Sequence, residues 1–401
     1  MIDVCVIGIG EYVTGLSGNS AAVSDKSLGV IALSLFDLRD QGIIGDIKLA
    51  GRDGDRFDLI KNHFDTNMKK AYPSLNSSFD EYPKSGNKSD TAYKEAIKSL
   101  KKGSCVLIFT PDDTHFDIAR YALKKKMHTL VAKPLVKTTK EHIKLQKLAN
   151  KNNLLLMLEV HKRFDPIYAD AKDNIQLLGE FSYMNSYMSQ PKTQLDTFAS
   201  WAGISSDISY YLNSHHIDFL CWAVDGIATP ISVIATASTG VAENKLNRKV
   251  EDTITLTVQW KNIKTKNLAT SIHTASWIAA PSDVHSQQRF FYMGHTGEIN
   301  IDQAHRGYTQ SSDRSGFKSS NPLFMKYTPR DGKFAGQDGY GYKSIATFVK
   351  SSLELKECSS KSKEKLEEFN KTLPTIQNTL NVTKILEAGR ISLDKQRIVY
   401  L

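Results

Sequence analysis

The chain has 401 residues, of which 40% are hydrophobic and 24% are charged. This balance supports sizeable buried cores and excludes a wholly disordered chain, and the length predicts about two domains. No apolar run approaches the roughly 20 residues that cross a bilayer, and the first residues lack the basic region of a signal peptide, so we expect no membrane partner.

The formal net charge of +9 raises the question of a nucleic-acid partner. The lysines are spread along the chain as short pairs and triplets, without a long basic block, so we expect no nucleic acid to bind. The four cysteines lie far apart and form no C-x-x-C pair, which predicts neither a disulfide framework nor a thiolate zinc site. A reducing, cytoplasmic location is therefore expected.

The first third of the chain predicts strands that alternate with helices. Short apolar runs indicate buried strands, and apolar residues at helical spacing indicate helices, the first of them with Ser24 or Asp25 as its N-cap. The predicted strands cover 3–7, 47–50, 105–109, 128–132 and 154–160, and the predicted helices cover 28–38, 116–125 and 139–150. This alternation indicates an α/β Rossmann domain with a doubly wound parallel sheet.

The second half of the chain has a different pattern. After a helix at about 165–177, alternating β-type segments dominate, at 231–237, 252–258, 270–276 and 290–293. They predict an α+β domain with a large, mostly antiparallel open sheet. We therefore divide the chain into a Rossmann domain at 1–155 and an α+β domain at 156–401, with the closing helix as a candidate to pack back on the first domain.

A glycine turn follows the first strand. Gly8-Ile9-Gly10 allows backbone N–H groups to approach a pyrophosphate, with Glu11 and Gly15 next to it. The match to G-x-G-x-x-G is imperfect because position 13 is valine. In a βαβ context the turn still predicts a dinucleotide site.

A long loop and the end of the second strand bear on the cofactor. The loop to residue 27 contains Asn19, Ser20 and Ser24, and it either covers the phosphates with hydroxyl donors or is an ordinary surface excursion. The second strand ends in Gly51-Arg52-Asp53, where NAD-selective folds place an acidic residue. A guanidinium pairs with a 2′-phosphate, so Arg52 favours NADP, and Asp53 keeps NAD open as an alternative.

Several short motifs then occur in a fixed order. They are Thr110-Pro111, Ala132-Lys133-Pro134, His161-Lys162-Arg163-Phe164-Asp165-Pro166, Leu178-Gly179-Glu180 and His215-His216-Ile217-Asp218. This series resembles the glucose–fructose oxidoreductase/inositol dehydrogenase (Gfo/Idh/MocA) family of NAD(P)-dependent oxidoreductases, over nearly the whole chain. The resemblance implies a Rossmann domain, an α+β domain whose open sheet forms an oligomer interface, and activity on sugars or cyclitols.

The resemblance also implies site residues. Lys133 matches the lysine of the family's Glu-Lys-Pro motif, in which this chain has Ala132 instead of the glutamate. The lysine is expected to contact the reacting hydroxyl, where its charge favours a developing alkoxide. Thr110, Pro111 and Pro134 are expected to line the cofactor.

A second catalytic element is implied in the α+β domain. The family has Asp-x-x-x-His on a helix; His215 matches the histidine, and Tyr211 stands in the place of the aspartate. A neutral histidine accepts the proton as hydride leaves, and Tyr211 is expected to share that role. Asp207, one helical turn earlier, is the alternative replacement for the missing carboxylate.

Further polar residues are candidates for binding the substrate. Arg163, Trp201, Asn213, His216 and Arg306 are of the types that bind hydroxyl groups or pack on sugar rings. Arg163 has an architectural role as its alternative, and His216 a place in the core. No metal site is expected, because His215 and His216 are adjacent on a helix and point apart.

The predicted function is an NADP-preferring oxidoreductase that transfers hydride between nicotinamide and a sugar, cyclitol or related hydroxy or carbonyl compound. One alternative is a non-catalytic, dinucleotide-binding regulatory protein of the same fold, because Ala132 and Tyr211 replace two family carboxylates. Another is a reductase of a non-sugar carbonyl compound. The expected partners are a small-molecule substrate and a second copy of the chain, in a homodimer or homotetramer formed through the C-terminal sheet.

Overall fold

The chain folds into two compact units in the computed structural model, which describes residues 1–18, 20–22, 26–284, 286–313, 316–358 and 360–401. The first unit comprises 1–135, 140–164 and 322–378, and the second comprises 136–139, 165–321 and 379–401. The predicted division at 155/156 therefore differs from the structure in the segments 156–164 and 322–378, which belong to the first unit, and in 136–139, which belong to the second. The closing helix belongs to the second unit. The predicted caps Ser24 and Asp25 lie outside the described residues.

The first unit is built on a six-stranded parallel sheet. Its strand order is β5-β4-β1-β6-β7-β8, and the short pair β2–β3 lies apart from it. This sheet confirms the predicted Rossmann architecture. The strands in chain order are β1 (Ile2–Ile7), β2 (Leu16–Ser17), β3 (Ser20–Ala21), β4 (Ile44–Ala50), β5 (Asp80–Tyr82), β6 (Cys105–Ile108), β7 (His128–Ala132) and β8 (Leu156–Glu159).

Three helices of the first half, at 31–40, 115–124 and 139–152, lie close to the predicted ranges, whereas the helices at 11–14, 56–63, 69–71 and 92–98 were not predicted. They are α1 (Glu11–Thr14), α2 (Ile31–Asp40), α3 (Arg56–His63), α4 (Lys69–Ala71), α5 (Ala92–Lys98), α6 (His115–Lys124) and α7 (Thr139–Asn152). A π-helical turn at Phe64–Met68 and 3₁₀ turns at Asp112–Thr114 and His161–Phe164 complete the set.

The helix after β1 is interrupted. α1 ends at Gly15, and the chain returns at Gly29, where the N–H of Val30 donates to the carbonyl of Tyr12 at 2.9 Å. In a continuous α-helix that carbonyl accepts from residue 16, so residue 30 stands where residue 16 would stand, a displacement of 14 residues. We call residues 15–29 the excursion. The helix therefore resumes as α2 once the excursion has closed.

The segment 322–378 completes the core of the first unit. Phe324, Tyr340 and Phe348 lie in the same hydrophobic core as the β1 and α2 side chains. The hydroxyl of Tyr342 donates to the Asp37 carboxylate at 2.6 Å, which links the start of a long helix to α2. The long helix and its successor are α12 (Tyr340–Glu357) and α13 (Ser362–Thr372), which follow α8 to α11 of the second unit.

The second unit contains a seven-stranded sheet in the order β14-β13-β9-β12-β11-β10-β17. All neighbours are antiparallel except β9 and β12, which confirms the predicted, mostly antiparallel sheet. The strands are β9 (Phe181–Pro191), β10 (Ala228–Thr239), β11 (Glu251–Asn262), β12 (Leu268–Ala279), β13 (Gln287–Gly294), β14 (Glu298–Asp302) and β17 (Val399–Tyr400), with the separate pair β15 (Thr309–Ser312) and β16 (Gly316–Ser319).

The helices of the second unit pack on one face of this sheet. They are α8 (Pro166–Ile175), α9 (Gln194–Phe198), α10 (Ser214–Ala223), α11 (Val241–Leu246) and α14 (Leu380–Lys395), with a π-helical segment at Ser209–Asn213 that leads into α10. Alternation along β11 buries Ile254, Leu256 and Val258 in the core of this unit. No helix within the described residues is both long and apolar enough to cross a membrane.

Candidate functional site

The glycine turn after β1 fits a dinucleotide. Gly8 has φ +105°, and a Cβ there would lie 2.1 Å from the Phe109 carbonyl oxygen, so the protein itself requires this glycine. Gly10 has an ordinary φ of −78°, and a Cβ there would meet no protein atom within 4 Å. Neither strain nor packing explains Gly10. A pyrophosphate that approaches the backbone closely does explain it.

Gly15, predicted to bind cofactor, has a structural explanation instead. Its φ is +81°, and a Cβ would lie 2.4 Å from the carbonyl oxygen of Ser27. The Gly15 N–H donates to the Glu11 carbonyl at 2.8 Å, so this glycine ends α1 and opens the excursion. Glu11 remains beside the turn as the first residue of α1. Asn19 and Ser24, predicted as donors to phosphate, lie outside the described residues.

Gly51 and Arg52 follow β4 at the same edge of the sheet. A Cβ at Gly51 would lie 2.5 Å from Cδ1 of Ile9 in the glycine turn, so a side chain at position 51 requires the end of the Ile9 side chain to move. The Arg52 side chain is 83% exposed, and its nearest ion-pair partner is Asp90 at 3.7 Å. An exposed pair of this kind contributes little, so the guanidinium is available to a ligand.

Asp53 is engaged by the protein. Lys88 lies 2.9 Å from its carboxylate, and the N–H of Asp55 donates to it at 3.2 Å. The hydrogen bond from Lys88, followed by that from Asp55, lowers the pKa of Asp53. The Asp53 carboxylate, on which the NAD alternative depends, is therefore already paired with Lys88.

His115 was not predicted from the sequence. Its ring nitrogens lie 2.8 Å from the Thr110 carbonyl and 2.9 Å from the Pro134 carbonyl, and the residue is fully buried. Both ring nitrogens thus face backbone carbonyl oxygens. The side chain thereby ties together the loops after β6 and β7, which contain four predicted cofactor-binding residues: Thr110, Pro111, Lys133 and Pro134. The histidine a few residues after Thr110-Pro111 was the available sequence signal.

Lys133 follows β7 at the carboxyl edge of the parallel sheet. The pKa of its ammonium is lowered to about 8, chiefly by burial, and the positive charge of Lys26 acts in the same direction. The negative charges of Asp112 and Glu159 act in the opposite direction. A lysine with a pKa near neutrality at this edge of a Rossmann sheet is typical of a functional group. The Lys133–Pro134 peptide bond is cis.

In the second unit, His215 lies on α10 and is buried. The helix extends through the π-helical segment but not to Asp207. The Asp207 carboxylate accepts from the N–H of Tyr210 at 2.9 Å and pairs with Arg390 at 3.3 Å. Asp207 therefore stabilises the start of the helix, and the structure does not support it as a replacement for the missing aspartate.

Tyr211 and Trp201 lie together in the second unit, as members of one aromatic cluster. Their ring centroids are 5.2 Å apart, and Phe198 lies 5.0 Å from Tyr211 and 4.8 Å from Trp201. Trp277 joins the cluster at 6.1 Å from Trp201. Trp201 and Tyr211 are partly exposed, so their faces are suited to packing on a sugar or cyclitol ring.

Two predicted substrate ligands are core residues. His216 is 1% exposed, and its Nε2 lies 2.9 Å from the hydroxyl of Tyr168. Asn213 is 2% exposed, and its amide donates to the Ser209 hydroxyl at 3.0 Å and the Ile254 carbonyl at 3.3 Å. The structural alternative is therefore preferred for His216, and Asn213 links the helix to the sheet.

Arg306 and Arg163 also have structural partners. Arg306 forms a buried ion pair with Asp165, whose carboxylate also accepts from the N–H of Ile167 at the start of α8. Arg163 donates to the amide oxygen of Asn378 at 3.4 Å within the first unit. These contacts favour an architectural role for both arginines. Across the described residues, no three His, Cys, Asp or Glu side chains are grouped so as to hold a metal.

Comparison with known proteins agrees with this geometry. Residues 64–160 match the family described as "Oxidoreductase family, NAD-binding Rossmann fold" (GFO_IDH_MocA). The uncharacterized oxidoreductase YdgJ of Escherichia coli is 31% identical over 116 residues, or 28% of this chain. That alignment spans only 34% of YdgJ, about a third of its length.

Solved structures share the fold over the whole chain. Apo scyllo-inositol dehydrogenase from Lactobacillus casei is 16% identical, with a TM-score of 0.64 over 100% of this chain and 98% of its own. GenD2 from gentamicin A biosynthesis, in complex with NAD, is 15% identical, with a TM-score of 0.67 over 100% of this chain and 96% of its own.

The fold and the glycine turn thus define a protein of the NAD-binding Rossmann class with a second α+β unit. Within that class, residues 64–160 match the Gfo/Idh/MocA family of oxidoreductases, and the whole chain shares its fold with solved inositol dehydrogenases. Residues 1–63, which include the interrupted helix, precede the matched segment.

The glycine turn yields a prediction about cofactor affinity. Gly10→Ala is expected to weaken dinucleotide binding about tenfold, because a methyl group occupies the space left for the pyrophosphate. Its free energy of unfolding should stay unchanged, since the position is open and its φ is ordinary. Fluorescence titration with NAD(H) and NADP(H), together with urea unfolding, measures both quantities.

Gly8→Ala is the matched control, because its positive φ and its contact with Phe109 make the cost structural. It should lower the free energy of unfolding by more than about 1 kcal/mol. Unchanged cofactor affinity in Gly10→Ala would contradict the placement of the pyrophosphate at this turn.

Proposed function

We propose that this protein is an NAD(P)-dependent oxidoreductase acting on CH–OH groups, which transfers hydride between nicotinamide and a sugar, cyclitol or related hydroxy or carbonyl compound. The observation that carries the proposal is Lys133, a lysine with a pKa of about 8 at the carboxyl edge of an NAD-binding Rossmann sheet. The names of structural neighbours such as scyllo-inositol dehydrogenase favour a cyclitol or sugar over other carbonyl compounds.

In this proposal the residues of the chain provide charge and proton transfer. The nicotinamide, when bound, accepts or supplies the hydride. The protonated Lys133 donates a hydrogen bond to the reacting oxygen and stabilises the negative charge that develops there. His215 takes up the hydroxyl proton or returns it in the reverse direction, with Tyr211 as a second proton donor. The partly exposed faces of Trp201 and Tyr211 pack on the ring of the substrate.

Lys133→Met tests this mechanism. The substitution keeps a long apolar stem and removes the charge, so turnover should fall about 10²–10³-fold while dinucleotide affinity stays within about twofold. In the parent protein, kcat/KM should fall as the pH rises through about 8, because the ammonium then loses its proton. Initial rates across a panel of sugars and cyclitols measure both effects.

The exposed Lys101 provides the control, since Lys101→Met removes the same charge away from the sheet edge. Unchanged kcat in Lys133→Met would refute the role of this lysine. Tight dinucleotide binding without turnover of any panel compound would instead favour the regulatory alternative.

We also propose that NADP is preferred over NAD. Three features of the β4 end support this preference: the glycine at position 51, the exposed guanidinium of Arg52, and the pairing of Asp53 with Lys88. Together they present a positive side chain without a competing free carboxylate, which is the arrangement that favours a 2′-phosphate.

Arg52→Ala should weaken NADP binding about tenfold and leave NAD binding unchanged, because only the 2′-phosphate needs the guanidinium. Arg120→Ala, which removes an exposed arginine paired with Asp117 on α6, is the control for net charge. Equal losses for both dinucleotides, or a parent protein that prefers NAD, would contradict the preference.

We further propose that two copies associate through the open face of the seven-stranded sheet. Opposite the helices, this face carries partly exposed Thr255, Ile272, Thr274, Tyr187 and Phe291. A flat face of threonine, aromatic and aliphatic side chains is suited to a second copy of itself.

The four free cysteines support a reducing compartment, and we propose the cytoplasm.

Ile272→Asp places a charge at the centre of this face, next to Thr257 of β11. It should convert the oligomer to a smaller species, as measured by light scattering on a sizing column. Ile204→Asp changes an isoleucine that is 63% exposed and outside the sheet, so it should leave the mass unchanged. The same mass for Ile272→Asp and the parent protein would contradict an interface at this face.

A further inference from the structure

We propose that Glu159 supplies the carboxylate that this chain lacks at Ala132, and that it acts as a positioning residue for the charge of Lys133. The inference rests on the proposed function, in which Lys133 polarises the reacting oxygen. The resemblance places a glutamate at position 132, within the lysine motif. Our proposal assigns the role of that carboxylate to Glu159 on the neighbouring strand β8.

The strand register carries the first step. Ala132, the last residue of β7, pairs with Glu159, the last residue of the parallel strand β8. Paired residues of neighbouring strands direct their side chains to the same face of the sheet. The Glu159 side chain therefore starts beside the position where the motif glutamate would start. A carboxylate lost from β7 is thus replaced from β8.

The surroundings of Glu159 carry the second step. The residue is 3% exposed, and the hydroxyl of Ser344 donates to its Oε1 at 3.0 Å. Nδ1 of His161 lies 3.5 Å from the same oxygen, and the His161 ring stacks on Tyr340 at 5.5 Å. A buried carboxylate is costly unless hydrogen bonds and nearby positive charge stabilise it. These neighbours fix its position.

The charges around Lys133 carry the third step. Asp112, after β6, and Glu159 present negative charge to its ammonium, and Lys26 of the excursion presents positive charge. Beside Glu159 lies the titratable His161, and the charge of Glu159 acts on Lys133. Burial lowers the pKa of Lys133, and the negative charge of Glu159 opposes this effect, with a resulting pKa of about 8. Without Glu159, a smaller fraction of Lys133 is protonated at neutral pH.

A purely structural role for Glu159 predicts a different outcome. If the carboxylate only anchors Ser344 and α12, its removal lowers stability and leaves the titration of Lys133 unchanged. The measurement must therefore report the Lys133 amine directly. Competitive acetylation with acetic anhydride from neutral to alkaline pH, quantified by mass spectrometry for the peptide that contains Lys133, gives its apparent pKa without any need for turnover.

Glu159→Gln keeps the shape and the acceptor for Ser344 and removes the charge. It should lower the apparent pKa of Lys133 by about 1 unit. The alkaline fall of kcat/KM should move to lower pH by the same amount. Ser344→Ala is the matched control, because it removes the hydrogen bond and keeps the carboxylate. It should leave the Lys133 titration in place.

The double variant Ala132→Glu/Glu159→Gln moves the carboxylate from β8 to β7. It therefore tests whether a carboxylate at position 132 can replace the one at position 159. The double variant should bring the apparent pKa of Lys133 back toward the parent value, and it also serves if Glu159→Gln alone folds poorly. An unchanged Lys133 pKa in Glu159→Gln, or no recovery in the double variant, overturns the inference. A shifted Lys133 pKa combined with full turnover in Lys133→Met would refute the proposed function and leave the charge relation between Glu159 and Lys133 standing.

Discussion

The parallel pairing of the first sheet is the constraint on which the nucleotide-binding unit depends. Parallel strands end at a common edge of the sheet. The carboxyl edge therefore holds residues from the ends of four strands, namely Gly8, Thr110, Lys133 and Glu159. These residues are far apart in sequence and do not need to contact one another to be brought together. Backbone hydrogen bonds set their spacing, and His115 then ties the loops that carry Thr110 and Lys133.

The fold class was predictable because each buried strand can be recognised from a few consecutive residues. Each buried strand is a short apolar run, and the sequence alone predicted β7 at 128–132 with the bounds observed. The interrupted helix was not predictable, because the bond between Tyr12 and Val30 joins residues that no local window contains. The segment 322–378 was assigned to the other domain for the same reason, since its partners Asp37 and Glu159 lie far earlier in the chain.

The candidate site divides in the same way. Motif residues at strand ends, such as Gly8 and Lys133, were identifiable because topology fixes their place. The roles of polar residues on helices and loops were harder to predict. The sequence shows that a side chain can donate or accept a hydrogen bond, but it does not show which group is the partner. Asn213 and Arg306 are both polar enough to bind a sugar, yet their hydrogen bonds go to the Ile254 carbonyl and to the Asp165 carboxylate. Glu159 was missed because its significance depends on strand register.

The excursion leaves the helix and rejoins it at nearly the same point. Its two ends meet at Gly15 and Gly29, where the backbone atoms are in close contact, and the helix continues across the gap. The length and sequence between these ends are thus uncoupled from the geometry of the glycine turn. Such a position tolerates changes in the length and sequence of the inserted segment while the helix and the glycine turn keep their geometry.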